Sequence, residues 1–159
     1  MTVVTERREP RLASRHAIEA VLRAVQALQS KDRLRVLAIT VMPDHFHILF
    51  ELETRLTVGQ TISMWKGKAR REFGYRTSFQ RDFWEHRLRP DEDAEGYAFY
   101  MFLNPYCARL VDATEPWRGW WSPVPESFQF TQLLHVHGAP PREWIDIPDK
   151  KFARLSVGE

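Results

Sequence analysis

The stretch Met42-Pro43-Asp44-His45-Phe46-His47-Ile48-Leu49-Phe50 constrains this chain more than any other. Side chains of a β-strand alternate between two faces, so a strand here sends Phe46, Ile48 and Phe50 one way and His45 and His47 the other. The apolar set needs a core beneath it. The histidines leave that core together, about 7 Å apart along the strand, close enough to converge on one divalent ion. The same alternation also describes two half-exposed sheet histidines, so the reading depends on what else joins them.

A second segment, Tyr97-Ala98-Phe99-Tyr100-Met101-Phe102-Leu103-Asn104-Pro105, supplies a partner. On a helix Tyr100 and Asn104 are four residues apart and share a face. Asn104 can lend an amide oxygen to a hard cation, and Tyr100 can set a phenol beside it. Two imidazoles, one carbonyl-type ligand and one nucleophile suit attack on a phosphodiester held by a metal. The competing reading is a helix of core aromatics, since Tyr97, Met101 and Phe102 are good core residues.

The chain has 159 residues, 43% of them hydrophobic, which fits one domain with a proper core. Its single cysteine, Cys107, excludes an intrachain disulfide framework and a cysteine-rich zinc cluster, and fits a reducing compartment. No apolar run approaches a membrane span and the N-terminus lacks a signal-peptide core, so a cytoplasmic protein is expected.

A net charge of +2 conceals an asymmetry: from Lys66 to Arg89 eight bases face three acids. Lys66, Lys68, Arg70, Arg71, Arg81, Arg87 and Arg89 are candidates for contacts with a nucleic-acid backbone. Among the interleaved aromatics, Trp65 and Trp84 are candidate platforms for unpaired bases, although their spacing with Ile62 and Phe83 also suits a core. A solvated basic helix face with buried aromatics is the plainer reading.

Residues 2–7 form a short strand. Ser14 caps a helix with Ile18, Val21, Leu22, Val25 and Leu28 at helical spacing, ending before Asp32. Val36, Leu37, Ile39 and Val41 make a buried strand, Pro43-Asp44 a tight turn, and the His-x-His strand completes a hairpin. Thr57 and Gln60 form a capping box opening a helix with Val58, Ile62, Trp65, Ala69 and Phe73 on one face, and Gly74 supplies its stop. Residues 83–89 are expected as a fourth strand and Asp91 as the cap of the tyrosine helix. Pro105 predicts a kink or helix end at Asn104. This β-α-β-β-α-β order plus a further helix predicts an antiparallel sheet with helices on one face. Residues 1–122 form the expected domain. Residues 123–159 are expected as an irregular tail, a candidate for nucleic-acid contacts, with balanced charge from Pro140 onward.

With both motifs in view, the chain resembles the single-tyrosine HUH transposases, and within them the REP-associated tyrosine transposases of bacteria. The family's Met-Pro-Asn-His-x-His hairpin appears as Met42-Pro43-Asp44-His45-Phe46-His47, and its Tyr-Ile-x-x-Asn-Pro helix as Tyr100-Met101-Phe102-Leu103-Asn104-Pro105. Trp65-Lys66, the segment from Phe79 to Arg89 and Trp120-Trp121-Ser122 match connecting motifs in order. Asp44 replaces the usual Asn, and Tyr106-Cys107-Ala108-Arg109 replaces a common Val-x-x-Gly stretch. The resemblance implies a ferredoxin-like α+β fold whose additional C-terminal helix carries the catalytic tyrosine. It implies His45, His47 and Asn104 as metal ligands, Tyr100 as nucleophile, and single-stranded or hairpin DNA as substrate. Hard oxygen chemistry favours Mg²⁺ or Mn²⁺. Both a monomer and a homodimer are compatible with it.

His135-Val136-His137 repeats the histidine spacing but lacks a following Tyr-x-x-x-Asn, and reads as a surface pair. Tyr97 is a second phenol one turn before Tyr100, Tyr106 falls off that helical face, His86 reads as structural or near DNA, and Cys107 as a small buried residue. Competing functions are a domesticated hairpin-binding protein without cleavage, a metal-dependent RNA-processing enzyme, and a plain interaction domain.

Overall fold

The computed structural model describes residues 1–31, 34–52, 56–73 and 78–146. Strand β1 (Thr2–Val4) leads through a 3₁₀ turn (Glu6–Arg8) to helix α1 (Arg15–Gln29). Strands β2 (Leu34–Val41) and β3 (His45–Leu52), helix α2 (Val58–Glu72), helix α3 (Ala94–Cys107) and a two-residue strand β4 (Trp120–Trp121) follow. The strands form one sheet in the order β1-β3-β2-β4, with every pairing antiparallel. Because β1 and β2 each run against β3, they are parallel to one another with β3 between them. That is the split β-α-β arrangement of a ferredoxin-like α+β fold.

Local chemistry explains the helix starts. Ser14 Oγ accepts from the Ala17 amide at 3.1 Å. Thr57 Oγ1 accepts from the Gln60 amide at 3.2 Å while Gln60 Oε1 accepts from the Thr57 amide at 2.9 Å, a complete capping box. From these starts α1 buries Ile18, Val21, Val25 and Leu28, and α2 buries Ile62, Trp65 and Ala69, all against Val36, Ile39, Phe46 and Ile48. Trp65 is the largest of these, wedged between Phe46 and Phe79 with ring centroids 4.5 and 4.9 Å away.

The opposite face of the sheet is also covered. Ala38 and Leu49 pack on Ala98, Met101 and Phe102 of α3, together with Phe128 and Phe130. The helices therefore lie on both faces, not on one as expected. The reason is the composition of α3, which buries Ala98, Met101, Phe102, Leu103 and Tyr106 around much of its circumference. A helix so apolar needs cover on two sides. The sheet gives one, and Phe128 and Phe130, at the start of the 3₁₀ turn Gln129–Leu133, give the other.

Four local expectations are corrected. The strand expected over residues 2–7 stops at Val4, because Arg7 turns into the left-handed region at φ 54. The fourth strand expected over residues 83–89 is reduced to isolated bridges, Thr2 with Trp84 and Thr5 with Phe79, along the outer edge of β1. Trp84, Glu85, His86 and Arg87 are all exposed, so no buried face extends the ladder. The sheet instead gains its fourth strand at Trp120–Trp121, beside β2, where Gly119 lets the backbone approach: a Cβ there would stand 2.5 Å from the Val41 carbonyl oxygen. Helix α3 is capped by Asp93, whose Oδ1 accepts from Glu95 N at 2.9 Å, rather than by Asp91. It also continues through Pro105 to Cys107. A proline so near the end removes one donor only, and the Ala108 amide still reaches the Asn104 carbonyl at 2.9 Å. The expected stop at Gly74 and the tail beyond residue 146 lie outside the described residues. Among those described, no helix is long and apolar enough to cross a membrane.

Lys66 ties α2 to the edge of β1. Its ammonium donates to the Gln80 carbonyl at 2.6 Å and to the Arg81 carbonyl at 3.0 Å, and burial lowers its pKa. Lys66→Met is expected to reduce stability by about 1 kcal/mol, read as a lower urea midpoint.

Candidate active site

The alternation of β3 places the histidines on the α3 side of the sheet, opposite Phe46 and Ile48. Their rings meet edge to face with centroids 4.7 Å apart, much closer than the strand spacing alone gives. The two Nε2 atoms are 3.1 Å apart. Each ring is held from behind. Asp44 Oδ1 lies 2.6 Å from His45 Nδ1, and the Thr2 hydroxyl lies 2.7 Å from His47 Nδ1. In the tautomers that donate both Nδ1–H groups outward, the two Nε2 lone pairs point inward, which is how carboxylate- and hydroxyl-oriented metal histidines are arranged.

Helix α3 brings the third donor. The Asn104 amide lies 3.2 Å from His47 Nε2, and a turn of its carboxamide puts the oxygen on the same side. Ligands about 2.1 Å from a common ion at right angles stand about 3.0 Å apart, so these separations fit one small divalent cation. The set contains only two histidines and an amide; among the described residues no group of three or more His, Cys, Asp or Glu side chains forms a metal cluster. One turn earlier, the Tyr100 ring centroid is 6.1 Å from that of His47. His45, His47, Tyr100 and Asn104, far apart in sequence, are thus gathered around one point.

Burial, with His45 adding to it, holds the His47 imidazole well below its ordinary pKa of 6.5. A depressed histidine stays neutral in the folded chain while the unfolded chain takes up a proton. The linked stability is present above pH 6.5 and is lost as pH falls from there toward the depressed folded value. In chelator, the urea midpoint should therefore drop between about pH 7.5 and 5.5, and His47→Gln should flatten that slope.

Tyr97 differs from Tyr100. Its hydroxyl donates to Glu92 at 3.3 Å and its ring stacks on His86, which itself bonds Glu92 at 3.0 Å. Burial first, then Glu92, raises the Tyr97 pKa, which disfavours the phenolate. His86 is accordingly part of a surface network next to the site. Tyr106 is a clamp: its hydroxyl donates to the Glu115 carbonyl and accepts from the Trp117 amide. Cys107, expected to be buried, is exposed at the end of α3. His135 and His137 are exposed and stacked 5.7 Å apart in a turn.

Of the two tryptophans read as stacking platforms, Trp65 is fully buried, whereas Trp84 is 51% exposed. Trp84 lines a small cavity with His47, His86, Tyr97 and Tyr100. The basic residues divide. Lys68, Arg70 and Arg71 ride on α2, whose packed face is on the far side of the sheet from the histidines. Arg81, Arg87 and Arg89 are exposed along the segment that edges β1. The sequence reading missed Arg8, whose guanidinium stands 3.6 Å from Asp44, the carboxylate that orients His45. Its only signal in the sequence is the charged run Glu6-Arg7-Arg8-Glu9.

A paired-histidine strand thus faces a tyrosine-and-asparagine helix on one side of an antiparallel sheet. Comparison with known proteins shows the family. The family model described as "Transposase IS200 like" matches residues 1–88. A REP-associated tyrosine transposase of Haemophilus influenzae is 31% identical over 130 residues, covering 72% of this chain and 69% of that protein. A REP-associated tyrosine transposase solved in complex with a REP hairpin superposes with a TM-score of 0.61 at 22% identity, covering 73% of this chain and 72% of that one. The chain belongs to the IS200-like tyrosine transposases, enzymes that cleave DNA and transfer strands.

Proposed function

We propose that this chain is a metal-dependent single-stranded DNA endonuclease and strand transferase that cuts beside hairpins through a 5′-phosphotyrosine on Tyr100. The observation that carries the reading is the convergence of the His45 and His47 Nε2 atoms and the Asn104 amide within 3.1–3.2 Å, with Tyr100 on the same helical face. The hairpin is inferred from the related transposase solved with one.

A divalent ion held by His45, His47 and Asn104, Mg²⁺ or Mn²⁺, would supply Lewis-acid charge to a non-bridging oxygen of the scissile phosphate. Asp44 and Thr2 keep the two imidazoles turned toward that point. Tyr100 Oη forms a bond to phosphorus as the bond to the 3′ oxygen breaks. The phenol proton passes to solvent, and the 3′ oxygen takes one up and leaves as a hydroxyl. Attack by a second 3′-hydroxyl reverses the exchange, frees Tyr100 and joins the strands without a nucleotide cofactor. Arg81, Arg87 and Arg89 flank the site from the β1 edge. Lys68, Arg70 and Arg71 suit a hairpin stem that wraps to the other face.

The test is incubation with end-labelled hairpin DNA bearing a single-stranded flank, with Mn²⁺ or Mg²⁺, followed by a denaturing gel. A slow covalent band is expected. Chelation or His45→Ala should reduce it by at least about a hundredfold, more than loss of an outer partner of a metal ligand costs. A band of undiminished intensity in chelator would remove the metal from the mechanism. Hairpin binding with no band on any substrate would point to a domesticated binding protein.

A further inference from the structure

Arg7 and Arg8 both have φ 54, a left-handed conformation in two successive residues that are not glycine. Each such residue is strained, and such strain persists where the surroundings over-determine it. Here the surroundings do. The Thr5 hydroxyl donates to the carbonyls of Glu9 and Asp44 at 2.7 and 2.8 Å, the Thr5 amide also reaches Asp44 O at 2.8 Å, and the Leu12 amide reaches Pro43 O at 2.8 Å. The turn is thereby stapled to the tight turn that starts the histidine strand.

The result is a fixed address for the Arg8 side chain. Its Nη1 is 3.6 Å from Asp44 Oδ2, and the other oxygen of Asp44 is 2.6 Å from His45 Nδ1. The ion pair does not explain the strain. It is longer than a hydrogen bond, and the Arg8 side chain is 61% exposed, so its effect on stability is small. A guanidinium has five donors, and this one remains largely in solvent, joined to His45 through the two oxygens of Asp44. The sequence-read bases of α2, by contrast, ride on a helix packed against the other face of the sheet.

We propose that Arg8 is a phosphate-contacting residue of the active site, its guanidinium shared between Asp44 and the backbone of single-stranded DNA next to the scissile phosphate. The proposal rests on the DNA-cleaving reading above and adds a residue which that reading lacks.

The experiment measures the affinity of a fluorescent hairpin oligonucleotide with a single-stranded flank, in chelator, as a function of salt. Proteins compared are Tyr100→Phe alone and Tyr100→Phe combined with Arg8→Gln, Arg8→Lys, Arg8→Gly or the control Arg15→Gln. Loss of one phosphate contact should weaken binding about fivefold at low salt and flatten the log–log salt slope by about 0.7. Arg8→Lys should restore most of the slope, and Arg15→Gln should leave it unchanged. Arg8→Gly separates contact from fold, because glycine accepts φ 54 without strain. It should melt at or above the parent temperature yet bind as weakly as Arg8→Gln. An Arg8→Gln slope equal to the parent's overturns the proposal and leaves the DNA reading standing. No binding by the parent itself overturns both.

Discussion

Replacing Tyr100 by phenylalanine is expected to abolish the covalent protein–DNA band and to lower strand cleavage by at least about a thousandfold, the scale on which covalent nucleophiles fail when removed. Hairpin affinity should change little, because the substitution deletes one oxygen from a half-buried ring and leaves the histidine pair, Asn104 and the basic edge in place. Separate assays of binding and of bond breaking check the two halves. The same substitution at Tyr97 should spare the band, since that hydroxyl is already engaged by Glu92 in a network with His86. Cleavage that survives Tyr100→Phe and is lost in Tyr97→Phe would move the nucleophile one turn along α3.

The largest effect on stability is expected at Trp65. Its indole fills the space between Phe46 and Phe79 at 2% exposure, so Trp65→Ala should cost about 3–5 kcal/mol. Against a total of about 5–15 kcal/mol, that leaves a marginal protein with a much lower urea midpoint. Trp65→Phe should be far milder, because the buried indole Nε1 has no hydrogen-bond partner among the described residues. The cavity also bears on function. Phe46 stands between His45 and His47 in the strand and presses on Trp65 from the other face, so emptying this space loosens the backbone that aims both imidazoles. Surviving Trp65→Ala protein is expected to form less covalent band than its folded fraction accounts for.

The parts of the fold that were legible beforehand depend on short-range periodicity. The alternation of Phe46 and Ile48 with His45 and His47 determines which face holds the core, and it held because the apolar set is large and unbroken. Ser14 and Thr57 marked helix starts because a cap is a contact between residues three apart. What failed was longer-range. Residues 83–89 have the aromatics of a strand, but Trp84 already bridges Thr2, the first residue of β1, so in this antiparallel register the residues after Trp84 run past the end of the strand they would pair with. Whether α3 joins the other helices or crosses the sheet depends on Phe128 and Phe130, distant residues that cover its second side. Arg8 was invisible as a site residue because only tertiary stapling of the turn at Thr5 brings it to Asp44. Asp44 itself stood out in the sequence as a departure from the usual asparagine, and its carboxylate does what an amide oxygen would do at His45 Nδ1 while also holding Arg8.

The central claim is that Tyr100 takes the 5′ phosphate of a cleaved strand. The most direct measurement is mass spectrometry of the protease-digested covalent band, formed with a hairpin of known sequence in Mn²⁺. The account predicts one modified peptide spanning Tyr100, linked through its phenol oxygen to the 5′ phosphate of the downstream fragment, with the released upstream fragment ending in a 3′-hydroxyl. A nucleotide attached to any other residue, or a released fragment ending in a 3′-phosphate, would contradict it.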